Sequence, residues 1–175
     1  LDGPARREAV SLDPQGRAVS DPHGLALTAD EQRLVISASG TGELLVLRLP
    51  DLPMMDYGGT DHIPPELLLE EDRFCRIDLG GRPMGLRIAP NDRTVFVANY
   101  FGNSVQIVDL TERRLIREIS LGGPSEPSLV RQGEMIFHDA RRSLDQWYSC
   151  STCHYEGGTN SVVMDTFNDE SAFTF

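Results

Sequence analysis

What most constrains this chain is that it repeats itself. The stretch "PHGLALTADEQRLVISASGTGELLVLRL" (22–49) lies over "PMGLRIAPNDRTVFVANYFGNSVQIVDL" (83–110) without a gap, at a constant offset of 61 residues. Pro22 meets Pro83, Gly24 meets Gly85, Leu34 meets Val95, and Val46 meets Ile107. Within each copy apolar residues recur at every second position, through Leu34, Ile36 and Ala38 and again through Val95 and Val97. That period of two marks strands with one buried face. Asp30-Glu31 and Asn91-Asp92 fall where a tight turn must join the first two strands.

A second match sets the length of the unit. "LGG" at 79–81 recurs at 121–123, an offset of 42, close to one four-stranded propeller blade. The two offsets reconcile if the first copy carries extra residues between its third and fourth strands. Residues 51–71, rich in Pro and Gly, are therefore an insertion within a blade and are expected to form a long loop. The Pro-x-Gly start, the "VFVANY" strand, the Asn-Ser turn and the "VQIVD" strand resemble the YVTN-type β-propeller repeat over about residues 20–123. The resemblance implies a mainly β fold: a partial β-propeller of about two four-stranded blades over residues 1–123, with one preceding strand in "REAVSLD". Its expected role is a scaffold or binding platform, since propellers host many functions. A ring closes with roughly 4 to 8 blades, so further blades are expected upstream. The opening at Leu1, with no Met and no signal-like segment, fits a piece of a longer protein or a processed start.

After Gly123 the alternation stops. Ser125 and Glu126-Pro127 are helix-start chemistry, and Leu129, Gly133, Ile136 and Phe137 come next at helical spacing. A helix over about 126–138 is predicted, with its apolar stripe packed on the segment C-terminal to it and a domain boundary at about 123–127.

Cys150-Ser151-Thr152-Cys153-His154 is a C-x-x-C-H sequence, the attachment pattern of c-type haem. Two thiols three positions apart lie on one side of a helical turn and can each bond a porphyrin vinyl group. The next residue brings an imidazole to the iron. Three other readings compete: a structural zinc site completed by His154 and His138, a thioredoxin-like dithiol, and a disulfide between Cys150 and Cys153. No second close Cys or His pair completes a zinc site, and no βαβ pattern surrounds the dithiol.

Over 133–160, "GEMIFHDARRSLDQWYSCSTCHYEGGTN" resembles the entry segment of the di-haem cytochrome c peroxidase family, matching at Gly133, Phe137, Asp139, Ser143, Ser149, Cys150, Cys153 and His154. The resemblance implies that residues 124–175 begin an α-helical cytochrome c-like domain. It also implies haem c attached through Cys150 and Cys153, with His154 as the iron ligand. Phe137 and Asp139 would shape the loop under the haem, Asp139 pairing Arg141 or Arg142, and Trp147 and Tyr148 would pack on the porphyrin. The family carries two such motifs and this chain one, so peroxidase activity belongs to a longer molecule. Met164 and His138 are the candidates here for a second axial ligand.

Electron transfer is the expected function, extending to peroxidase or substrate oxidation in a full-length protein. Its partner would be a redox protein or a small-molecule electron donor, in the periplasm or at the cell surface, where haem c is attached. The competing class is a β-propeller binding module or lactonase-like hydrolase with an incidental or zinc-holding Cys/His cluster. No nucleophile–base pair stands out for hydrolysis. With 27 acids against 16 bases and a net charge of −11, a nucleic-acid footprint is not expected, and no apolar run reaches the ~20 residues of a membrane span. Cys75, in an alternating strand, is expected to fill space, and His23 and His62 to serve turns or surface.

Overall fold

A computed structural model of the chain describes residues 8–50, 52–56 and 62–161. After a short strand β1 (Glu8–Ala9), the chain forms the meander β2 (Pro22–Leu27), β3 (Arg33–Ala38) and β4 (Glu43–Arg48). The insertion comes next, with strand β5 (Met55–Asp56) and helix α1 (Pro65–Leu69), and β6 (Phe74–Asp78) then completes a four-stranded antiparallel sheet in the order β2-β3-β4-β6. A second sheet repeats it with β7 (Pro83–Ile88), β8 (Thr94–Asn99), β9 (Ser104–Asp109) and β10 (Arg114–Ser120).

The repeat holds in detail. The first three strands of the two sheets start 61 residues apart, at 22 and 83, 33 and 94, and 43 and 104. Both inner pairings slip at the same place, between Pro22 and Leu25 and between Pro83 and Leu86. The predicted turns are present, with Glu31 and Asp92 at φ +57° and +50°. The Asp92 carboxylate accepts from the amides of Ala29 (2.7 Å) and Asp30 (3.1 Å), tying one turn to the other.

The sheets stack face to face. Val35, Leu44, Val46 and Ile77 of the first bury against Val95, Val97 and Val108 of the second. Gly24 makes this approach possible, because a Cβ there would stand 2.6 Å from the carbonyl oxygen of Met84. Buried Ser37 bridges the gap, accepting from the Gly24 amide and donating to that same carbonyl.

Three expectations change. The strand in "REAVSLD" is only β1, and it pairs with β5 of the insertion rather than with a blade. The insertion is not a plain loop: Ile63 and Leu67, 3% and 0% exposed, join Ile36, Leu45, Leu47 and Phe74 in a second core on the outer face of the first sheet. The predicted helix is α2 (Leu129–Phe137), starting after Ser128, whose side chain accepts from the Arg131 amide. None of its residues is buried, and Leu129 and Val130 are each 84% exposed. Beyond it, the described residues form helix α3 (Cys150–Cys153) and three 3₁₀ turns. A complete helical cytochrome fold is not formed by the described residues.

Cys75 is half-buried against the inter-sheet core, and His23 and His62 are exposed. Among the described residues no helix is long and apolar enough to cross a membrane.

Candidate functional site at the Cys-x-x-Cys-His turn

Helix α3 is a single turn, held at both ends. At its start the Ser149 amide donates to Thr152 Oγ1 (3.0 Å). At its close the His154 amide donates to the Cys150 carbonyl (3.0 Å), and the Asn160 amide returns to the Cys153 carbonyl (3.0 Å). Cys150 is exposed, Cys153 is half-buried, and neither takes part in a disulfide. Three positions apart on one turn, the two thiols share a side.

His154 stands 2.9 Å through Nδ1 from the carbonyl oxygen of Gly158. A carbonyl only accepts, so Nδ1 carries a proton, and Nε2 is the nitrogen through which the neutral ring could bind a metal. Cys150, Cys153 and His154 open onto a cavity of about 450 Å³, walled further by Ile136, Arg142 and Tyr148.

Phe137 and Trp147 do not line this cavity. Phe137 meets His138 edge-on at 5.2 Å, and Trp147 backs Tyr148 edge-on at 5.0 Å. The Trp147 Nε1 is buried without a hydrogen-bond partner, as is the His138 Nδ1. His138 lies in a neighbouring cavity of about 160 Å³ with Gly40, Gly81 and Phe101. Burial, and then the Arg82 charge, hold its pKa below the usual histidine value. Asp139 pairs with both expected arginines, Arg141 at 2.7 Å and Arg142 at 3.6 Å. Met164 lies outside the described residues.

Among the described residues, no three or more His, Cys, Asp or Glu side chains gather closely enough to hold a metal ion. Cys150 and Cys153 do not form the alternative disulfide.

The segment is fastened to the rims of both sheets. On the first, the Ala140 amide donates to the Gly40 carbonyl (3.0 Å) and the Ala18 amide to the Asp145 carbonyl (2.7 Å). On the second, the Arg131 guanidinium stacks 4.1 Å from the Tyr100 ring centre and donates to the Tyr100 carbonyl (2.7 Å). Beneath the motif itself sits Asp21, whose carboxylate accepts from Ser149 and Thr152, each at 2.9 Å. Sequence reading missed Asp21 because 128 residues separate it from Ser149, and no local pattern signals such a contact.

No protein-family model matches the chain. Over 47 residues, 27% of this chain, it is 43% identical to the gamma subunit of hydrazine synthase from Kuenenia stuttgartiensis. A solved Kuenenia stuttgartiensis hydrazine synthase chain is similar over 56% of this chain, at 18% identity and a TM-score of 0.41. A periplasmic gluconolactonase from Pseudomonas aeruginosa is similar over 70%, at 14% identity and a TM-score of 0.43. The matches span 13% of the hydrazine synthase subunit and 23% and 32% of the two solved chains.

Proposed function

We propose that this chain is part of a c-type cytochrome protein. In this reading Cys150 and Cys153 tether haem c by thioether bonds, and His154 ligates its iron through Nε2. The observation that carries the reading is the conjunction at α3: two thiols outside any disulfide on one side of a turn and an imidazole with Nδ1 already bonded, all on one cavity. When bound, haem c supplies a one-electron redox centre. The chain's own residues do the rest. Ile136 and Tyr148 give the porphyrin an apolar wall and keep water from one side. Arg142 and Asp139, an ion pair at 3.6 Å, add a polar stretch to the same wall. Trp147 supports Tyr148 from behind, and Phe137 supports the loop through His138.

A haem c protein works in the periplasm or at the cell surface, with a redox protein or small-molecule donor as partner. The local likeness to a hydrazine synthase subunit makes a multi-subunit enzyme a candidate setting for the whole protein, and peroxidase-like chemistry stays with that larger molecule. The test is a pyridine haemochrome spectrum of protein made in a host with cytochrome-maturation machinery. A haem c band that disappears in the Cys150→Ala/Cys153→Ala double variant is expected, and no covalent haem in the unaltered chain overturns the reading.

The second reading is a β-propeller binding module whose Cys/His cluster takes no haem. The two stacked four-stranded sheets favour it, and the same spectrum separates the two.

A further inference from the structure

We propose that Asp21 is the positioning residue of the Cys-x-x-Cys turn: its carboxylate holds the residues between the thiols, so that the thiols themselves face the cavity. On a single helical turn, positions 150 and 153 share one side and positions 151 and 152 the other. Whatever grips Ser151 and Thr152 therefore aims Cys150 and Cys153.

The grip is a set of three hydroxyls gathered on one carboxylate. Ser149 Oγ donates to Asp21 Oδ2 (2.9 Å) and Thr152 Oγ1 to Oδ1 (2.9 Å). Ser151 Oγ lies 3.4 Å from Oδ2 but only 2.7 Å from Ser149 Oγ. A hydroxyl has one proton to give, so Ser151 donates to Ser149, whose own proton goes to the carboxylate. Ser149 and Ser151 are 4% and 5% exposed, and charge-assisted bonds in such surroundings are stronger than neutral ones.

Asp21 is itself built in. Its backbone is left-handed at φ +52°, a conformation Asp tolerates better than most residues. Its carbonyl accepts from both the amide and the hydroxyl of Ser39, each at 2.9 Å. A Cβ at Gly40 would stand 2.8 Å from Asp21 Oδ2, so the absence of a side chain there makes room for the carboxylate. The blade architecture does not require an acid at this place. The repeat-equivalent residue in the second sheet is Arg82, which lies over the Tyr100 and Phe101 rings instead.

The benefit to cofactor attachment rests on the haem c reading above, whereas the hold on the thiols does not. The experiment uses the whole chain with Asp21→Ala and Asp21→Asn, read in two ways. Without haem, alkylation by iodoacetamide is followed at each cysteine by mass spectrometry. Losing bonds to a charged acceptor is expected to speed labelling of half-buried Cys153 by roughly tenfold in Asp21→Ala, less in Asp21→Asn, with Cys75 unchanged. In the maturation host, Asp21→Ala is expected to carry a mixture of one- and two-thioether haem, seen in the haemochrome band and in the peptide masses. Unaltered Cys153 labelling together with complete two-thioether attachment in Asp21→Ala overturns the proposal. An unaltered chain without haem overturns the haem reading alone, and the labelling rates still judge Asp21. If Asp21→Ala exposes Cys75 as well, Ser149→Ala removes a bond to the same carboxylate while leaving the Ser149 amide on Thr152 Oγ1: faster Cys153 labelling with Cys75 protected is expected, and no change overturns it.

Discussion

Burial controls the cysteines. Desolvation raises the thiol pKa of Cys75, which packs against the inter-sheet core, with the Arg113 charge opposing it. The thiolate is the reactive form, so across pH 7 to 9 Cys75 is expected to alkylate more slowly than exposed Cys150, by mass spectrometry of the native chain. His138 titrates in the opposite sense. Its folded pKa lies below the unfolded value of about 6.5 because burial and Arg82 disfavour the cation, against the weaker pull of Glu134 and Asp21. Above about pH 6.5 both states are neutral and stability is full. As the pH falls from there toward the folded pKa, the unfolded chain takes a proton that the folded chain refuses, and stability declines. His138→Gln is expected to flatten that part of a urea-midpoint profile between pH 7 and 5. The C-x-x-C-H chemistry was legible residue by residue because its spacing is local. Asp21 was not, because a carboxylate on one rim and hydroxyls beyond the second sheet meet only after both sheets have formed.

Strands were more legible than helices, for a physical reason. A strand with one covered face buries alternate residues, and Val95 and Val97 carry that demand openly, whereas Val35 to Ala38 are buried without a break because the insertion covers the outer face of the first sheet. Helix α1 hides inside "IPPELLLEE", where Pro65 at its first position and three leucines are helix chemistry within a segment that composition alone marks as a loop. Leu67 is fully buried there, so Leu67→Ala is expected to cost about 2–5 kcal/mol in urea denaturation, a loss that a surface loop would not show. Helix α2 departs from its pattern in the other direction. Leu129, Val130, Met135 and Ile136 stay exposed, and its hold on the second sheet runs through Arg131, which stacks on Tyr100, bonds the Tyr100 carbonyl and pairs with Glu134 at 2.7 Å. Lysine keeps the charge but not the flat, forked geometry. Arg131→Lys is expected to speed amide hydrogen exchange across 129–137 severalfold while leaving β7–β10 protected.

At the scale of the whole molecule, the repeat shows what the second sheet would bury if it were covered. Val35, Leu44 and Val46 of the first sheet are 0%, 0% and 8% exposed because the second sheet lies on them. Moving 61 residues along the sequence gives Phe96, Val105 and Ile107. Phe96 is 41% exposed, and its cross-strand neighbour is Ile107, while Val105 stands opposite Ile119, also 41% exposed. Gly85, the counterpart of the tightly packed Gly24, has no atom within 4 Å of where its Cβ would be. One surface of the repeat is thus core in the first sheet and open in the second. An apolar sheet face of this kind associates when it meets its like. The 175-residue chain alone is therefore expected to self-associate with rising concentration in sedimentation velocity. Phe96→Lys combined with Ile119→Glu should shift it toward monomer without lowering the urea midpoint read at dilutions where the original chain is monomeric, because association itself raises the midpoint only at higher concentration. A chain that stays monomeric throughout, or a double variant that associates as strongly as the original, would mean that this face lacks the stickiness its composition implies.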